Sequence, residues 1–166
     1  MQLPHLLPVL TLCLFSLHAG AIVTVKFDNP GQYRDASLEG TYQVDAGEPA
    51  LREIGSHLRK LGERYLSPEE TLSVEVLDVD LAGRFEPWRM QFHRVRIMDS
   101  LTWPMIRLRY TFHGGDRTGL SAEERVVDQT YLGRQRTYFS GDRLGYEKQM
   151  LDDWFRARFV EHRPPR

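Results

Sequence analysis

The residues whose types and spacing could do chemistry are Asp78, Asp80 and Glu86, with His93 close behind them. Asp78 and Asp80 stand two apart in a segment that reads as a strand, so both carboxylates project from one face. Carboxylates held close together repel, which raises the pKa of one of them for acid–base work or recruits a hard cation such as Ca²⁺. The plainer reading puts them at the solvated end of a strand, with Asp80 capping the turn at Ala82-Gly83. An Asp-x-Asp pair is common, and Ca²⁺ demands roughly six or more oxygens.

A second group runs from Arg84 to Arg109, where Phe85, Trp88, Phe92 and Trp103 lie among Arg84, Arg89, Arg94, Arg96, Arg107 and Arg109. Aromatic faces beside guanidinium groups bind sugars, phosphates or protein partners. Within it, Arg84, Trp88, Arg96, Trp103, Arg107 and Arg109 are the candidate binding residues. Against this stands a structural reading: Trp88 and Trp103, each beside a proline, plug the ends of the core. The arginines then form the solvated side of a sheet, with their stems covering apolar surface. Glu123, Glu124 and Arg125 lie on a strand that pairs with Arg107 and Arg109, an arrangement of ordinary cross-strand stabilisation. His57 and His113 have no serine or carboxylate at a telling spacing and read as surface residues.

The common short motifs of enzymes are missing. There is no Gly-x-x-x-x-Gly-Lys phosphate loop, no Gly-x-Ser-x-Gly elbow, no His-Glu-x-x-His helix and no Cys-x-x-Cys. No cofactor is implied. The formal net charge of -1 gives no global field toward nucleic acid or an anionic membrane. Arginine dominates the basic residues, since Lys26, Lys60 and Lys148 are the only lysines.

The elements that must position these groups begin after a processing segment. Leu6 to Leu17 is an apolar run broken only by Pro8, Thr11, Cys13 and Ser16, and small residues follow at Ala19-Gly20-Ala21. This is the pattern of a secretory signal cleaved after Ala21, although Met1 to His5 carries no Lys or Arg. The run is shorter than the roughly 20 residues of a spanning helix, so no transmembrane segment is expected after cleavage. Cys13, the only cysteine, would leave with it. A thiol-free chain is neither a disulfide scaffold nor a thiol enzyme. Residues 22–160 then form one domain, and 161–166 a disordered tail.

Ile22 to Phe27 alternates as a first strand. Asp45 and Glu48 have the spacing of a capping box, with Pro49 in the first turn. Leu51, Ile54, Leu58, Leu61 and Tyr65 line one helix face, and Ser67-Pro68 ends it. Thr71 to Leu81 is a long strand whose apolar set slips from Leu72, Val74 and Val76 to Leu77, Val79 and Leu81; the slip predicts a bulge near Val76 or cover on both faces. Gly83 to His93 reads as loop and Val95 to Met98 as a short strand. Met105 to Phe112 is the clearest strand, with Ile106, Leu108, Tyr110 and Phe112 on one side and Arg107 and Arg109 on the other. Ala122 to Tyr131 pairs with it, and Asp142 caps a last helix striped by Leu151, Trp154, Phe155, Arg158 and Phe159. The order predicts an α+β two-layer sandwich: a mixed, mostly antiparallel sheet of about four strands with two helices on one face.

Three strings together resemble a known family: Asp80-Leu81-Ala82-Gly83-Arg84-Phe85-Glu86-Pro87-Trp88, Thr102-Trp103-Pro104-Met105-Ile106-Arg107-Leu108-Arg109-Tyr110, and Tyr146-Glu147-Lys148 running into Leu151-Asp152-Asp153-Trp154-Phe155. The likeness is to an exported proteobacterial family, domain of unknown function 3016, over essentially the whole mature chain. It implies export in a Gram-negative bacterium and carries no activity or catalytic residues. The functional expectation is a non-enzymatic binding module of the periplasm, its partner an envelope protein or anionic envelope component and not nucleic acid. The alternative is a metal-dependent or acid–base hydrolase using Asp78, Asp80 and Glu86. A structural subunit that recruits partners by strand addition is a third reading.

Overall fold

The computed structural model describes residues 20–40, 44–86, 88, 95–117, 119–135, 137–138 and 141–165. His93, Arg89, Phe92, Arg94 and most of the expected signal segment lie outside the described residues. Strand β1 (Ile22–Phe27) leads through a loop to helix α1 (Pro49–Tyr65) and strand β2 (Thr71–Asp80). Two short strands, β3 (Arg84–Phe85) and β4 (Arg96–Ile97), precede β5 (Met105–His113) and β6 (Leu120–Val127). Helix α2 (Gly145–Phe155) continues into a π-type turn over Arg156–Val160.

The main sheet has the order β1-β2-β5-β6, with β1 and β2 parallel across α1 and the other pairs antiparallel. Its inner face carries Leu72, Val74 and Val76, then Val79, together with Ile106, Leu108, Tyr110 and Phe112, all buried against Leu51, Ile54, Leu58, Leu151, Phe155 and Phe159 of the helical layer. This is the expected α+β sandwich with two helices on one face of a four-stranded mixed sheet. The register slips between Val76 and Asp78, leaving Leu77 as the extra residue of a bulge, where the apolar pattern changes sides. Gly62 lets α1 approach β1, since a Cβ there would stand 2.0 Å from Val23 Cγ2.

Local details differ from the sequence reading for identifiable reasons. Loop residues Arg84–Phe85 pair with β4 as a second, two-stranded sheet. The capping box does not close. Asp45 Oδ1 instead accepts the Gly47 N–H at 2.7 Å in a tight turn, and Glu48 Oε1 accepts the Leu38 N–H at 3.3 Å. His57 is not a free surface residue: its Nε2 lies 2.8 Å from Asp152 Oδ1, joining α1 to α2. Asp142 closes the start of α2: its Oδ1 accepts the Leu144 N–H at 3.0 Å, its carbonyl accepts the Gly145 N–H at 3.3 Å, and its carboxylate holds Lys148 Nζ at 2.8 Å. Lys148 also reaches Glu53 at 2.7 Å, a second tie between the helices.

Candidate functional site

The arginines of the sequence divide into two environments. Arg96, on β4, points into the fold, where both terminal nitrogens are bonded and Nε is buried with no hydrogen-bond partner among the described residues. Its Nη1 donates to Asp35 Oδ2 and to Gly83 O, both at 2.9 Å, and its Nη2 donates to Asp35 Oδ1 and Ser37 O, both at 2.8 Å. The guanidinium lies 4.7 Å from the Phe85 ring centroid. A planar fork fits this set of carbonyls and one bidentate carboxylate in a way lysine could not. Beneath it, α2 delivers Glu147, which is buried and accepts the Ala82 N–H on Oε1 at 2.8 Å. Glu147 Oε2 is buried with no hydrogen-bond partner among the described residues. Burial pushes the Glu147 carboxyl up to about 7, against the pull of the Ala82 N–H and of Arg96.

The strings that carry the family resemblance therefore meet in space. Ala82 bonds Glu147, and the Gly83 N–H donates to Thr102 O at 2.9 Å. Gly83 has φ +75, and a Cβ there would lie 2.5 Å from Ile97 O, so the crossing requires glycine. Arg84 bonds Glu86 Oε1 at 3.1 Å and pairs with Asp99 at 3.2 Å. Trp103 is half-buried, whereas Trp88 is 69% exposed.

Arg107 and Arg109 occupy the other environment, the outer face of the main sheet. Both are exposed. Arg109 reaches Glu75 at 2.7 Å and Glu123 at 3.0 Å, and Arg107 reaches Glu123 at 3.3 Å. The strand register sets two polar rows across this face: Lys26, Glu75, Arg109 and Glu123, and beside them Thr24, Ser73, Thr111 and Ser121. No element packs over these rows among the described residues, and a depression of about 180 Å³ lies between Lys26, Ser73, Glu75, Arg109 and Thr111. Among the described residues no hydrogen bond or ion pair joins this group to Arg84 or Arg96, so the six candidate arginines and tryptophans do not form one site.

The carboxylates are placed differently again. Asp78 pairs with Arg34 at 3.2 Å and accepts its backbone N–H at 3.1 Å. The backbone at Asp80 forms a parallel bridge with that at Asp35, and the Asp80 pKa is raised first by burial and then by the Asp35 charge, with Asp78 a smaller contributor. Glu86 is engaged by Arg84 instead. Among the described residues no group of three or more His, Cys, Asp or Glu side chains is gathered to hold a metal ion.

Sequence reasoning missed one buried polar pair. Glu124 points inward from β6 and binds Arg158 of the π-type turn, with Nε contacts of 2.8 and 2.9 Å and Nη2 at 2.5 Å. Trp154 Nε1 adds a contact at 3.4 Å. Burial raises the Glu124 carboxyl most strongly of any one cause, but the hydrogen bonds and charge of Arg158 together with Tyr110 and Trp154 outweigh it, and the pKa is lowered. The signal was available: Glu124 shares strand parity with Leu120, Ala122 and Val126, and Arg158 stands in the apolar stripe of α2.

The architecture defines a small α+β protein with a buried arginine hub and a polar sheet face that no element among the described residues covers. The chain belongs to the family described as protein of unknown function (DUF3016), whose model matches residues 21–157. No curated protein and no solved structure matches it. Among the described residues no helix is long and apolar enough to cross a membrane.

Proposed function

We propose that this protein is a non-enzymatic binding module of the periplasm whose ligand surface is the outer face of the β1-β2-β5-β6 sheet, and whose ligand is an anionic envelope component. The observation that carries the reading is the charge on that face. Lys26, Arg107, Arg109 and Arg125 project there against Glu75 and Glu123. Asp78, next in register to Arg107, is already occupied by Arg34. Cations are therefore in excess, at the end where Arg107 and Arg125 stand opposite each other. Hydroxyls of Thr24, Ser73, Thr111 and Ser121 add neutral donors alongside, a combination suited to phosphate or carboxylate oxygens. Export is supported by the apolar run and small-residue site before Ile22, most of which precedes the residues that the family model matches.

Native mass spectrometry of the protein purified gently from a periplasmic extract tests this reading. A mass excess matching a phosphate- or carboxylate-bearing lipid or glycan, lost on Arg107→Gln with Arg109→Gln, is the expected result. Absence of the protein from that fraction, or a bound species that those substitutions leave in place, would contradict it.

A further inference from the structure

A strand at the edge of a sheet turns the backbone groups of alternate residues outward with nothing to pair them. One step beyond the Met105–Val127 pairing, the Asp128 N–H donates to Pro104 O at 3.3 Å. Alternation then turns the backbone of Val126, Glu124 and Ala122 toward β5, and that of Val127, Arg125, Glu123 and Ser121 outward. Among the described residues no other segment bonds those four backbones. A groove of about 320 Å³ runs beside them, floored by Trp154 and walled by Asp153, Ala157 and Arg158.

We propose that this edge is the interface for a second copy of the chain, β6 pairing antiparallel with its counterpart about a two-fold axis at Glu124. Charge selects that register. An axis at Glu123 would set Glu123 against itself, and an axis at Arg125 would set Arg125 against itself. The axis at Glu124 sets Glu123 opposite Arg125 of the second copy, and Arg125 opposite its Glu123, so one contact is made twice; Glu124 meets its own copy there, but on the inner face, where each carboxylate is already paired with Arg158. All four outward backbones then meet outward backbones, Ser121 opposite Val127 completing the ladder.

A second observation points the same way. Within one chain Arg125 faces Arg107 directly across the strands and makes no ion pair among the described residues. Like charges directly opposite destabilise a sheet, and Glu123 of the second copy supplies the missing carboxylate. The opposite edge lacks this complementarity: β1 shows Thr24 and Lys26 outward with no carboxylate, a guarded edge. The β6 edge shares Arg125 with the face proposed to bind a ligand and leaves Lys26, Arg107 and Arg109 there.

Sedimentation equilibrium of the protein, purified in the form its cells produce, tests it. The wild type is expected to be a dimer. Arg125→Glu keeps the fold, because the introduced carboxylate faces Arg107 favourably, yet weakens the dimer roughly tenfold or more by opposing Glu123. Glu123→Arg weakens the dimer likewise by opposing Arg125 of the second copy, and an equimolar mixture of the two variants recovers a dimer containing one of each. Since Glu123 anchors Arg107 and Arg109, Arg125→Pro provides a second probe. It removes an outward N–H without touching the β5 ladder, and abolishes the dimer. A monomeric wild type, a dimer indifferent to Arg125→Glu and Arg125→Pro, a mixture that stays monomeric, or an extended peptide of foreign sequence seated on the edge would overturn the proposal.

Discussion

Arg96 and Arg109 lie within one short stretch of sequence and both make several polar contacts, yet they do opposite things. Arg96 is nearly sealed, and its donors go to Asp35 and to carbonyls of Ser37, Ala82 and Gly83. Those carbonyls belong to two crossing loops with no ladder of their own, so the arginine substitutes for missing backbone pairing. Arg109 stands in water and shares two carboxylates that are themselves exposed. Removing an arginine of the first kind strands buried acceptors; removing one of the second kind frees a surface for solvent or ligand. Contact lists alone do not separate scaffold from binding surface. Burial of the partners does.

The two environments differ most at the hub. Arg96→Ala is expected to cost about 3–5 kcal/mol, the range for deleting one member of a buried pair, read as a lower midpoint in urea. Arg96→Lys should recover little, since an ammonium cannot span Asp35 and the Gly83 carbonyl together. Glu124 and Arg158 form the second buried pair. Arg158→Ala alone should destabilise by about 3 kcal/mol, while Glu124→Leu combined with Arg158→Met should restore most of that loss. A double variant no better than the single would mean that the pair stabilises the fold beyond its volume.

Glu147 extends the contrast to pH. Its folded pKa of about 7 lies above the ordinary 4.5 of glutamate, so the folded chain holds a proton there that the unfolded chain releases. Stability from this group is therefore full below about pH 4.5 and falls as pH rises through 7, by up to about 3 kcal/mol. Glu147→Gln keeps an acceptor for the Ala82 N–H and removes the charge. Thermal melting from pH 5 to 8 should decline in the wild type and stay flatter in the variant; parallel curves would place the titration elsewhere. The smallest effect belongs to the open face, where Arg107→Ala should change stability by no more than about 0.5 kcal/mol.

How much of this could be read from residues alone follows from the range of the forces involved. Helix α1 and strand β5 were legible because their apolar positions repeat at 3.6 and 2 residues over a long stretch. The bulge at Leu77 was legible as a slip in the same pattern. Strand β4 was legible within Val95 to Met98, but β3 was not, since two residues carry no period and Arg84–Phe85 is held by a distant partner. Glu147 of α2 and Arg158 of the turn that continues it share a stripe with Leu151, Trp154 and Phe155, so their burial was readable from spacing. Their partners Ala82 and Glu124 were not, because pairing across many residues depends on how the layers close. The expected arginine–aromatic site joined residues adjacent in sequence, whereas the strand pleat and the loop crossing send them to different sides of the fold.

What matters most is whether the open face binds while the hub only supports. Flotation of the protein with phosphatidylglycerol vesicles, against phosphatidylcholine vesicles as control, measures this directly when wild type is compared with Arg107→Gln combined with Arg109→Gln. Wild type is expected to float with the anionic vesicles only, and the double variant to stay behind while melting close to wild type. Equal flotation of both proteins, or none of either, would contradict a binding role for this face.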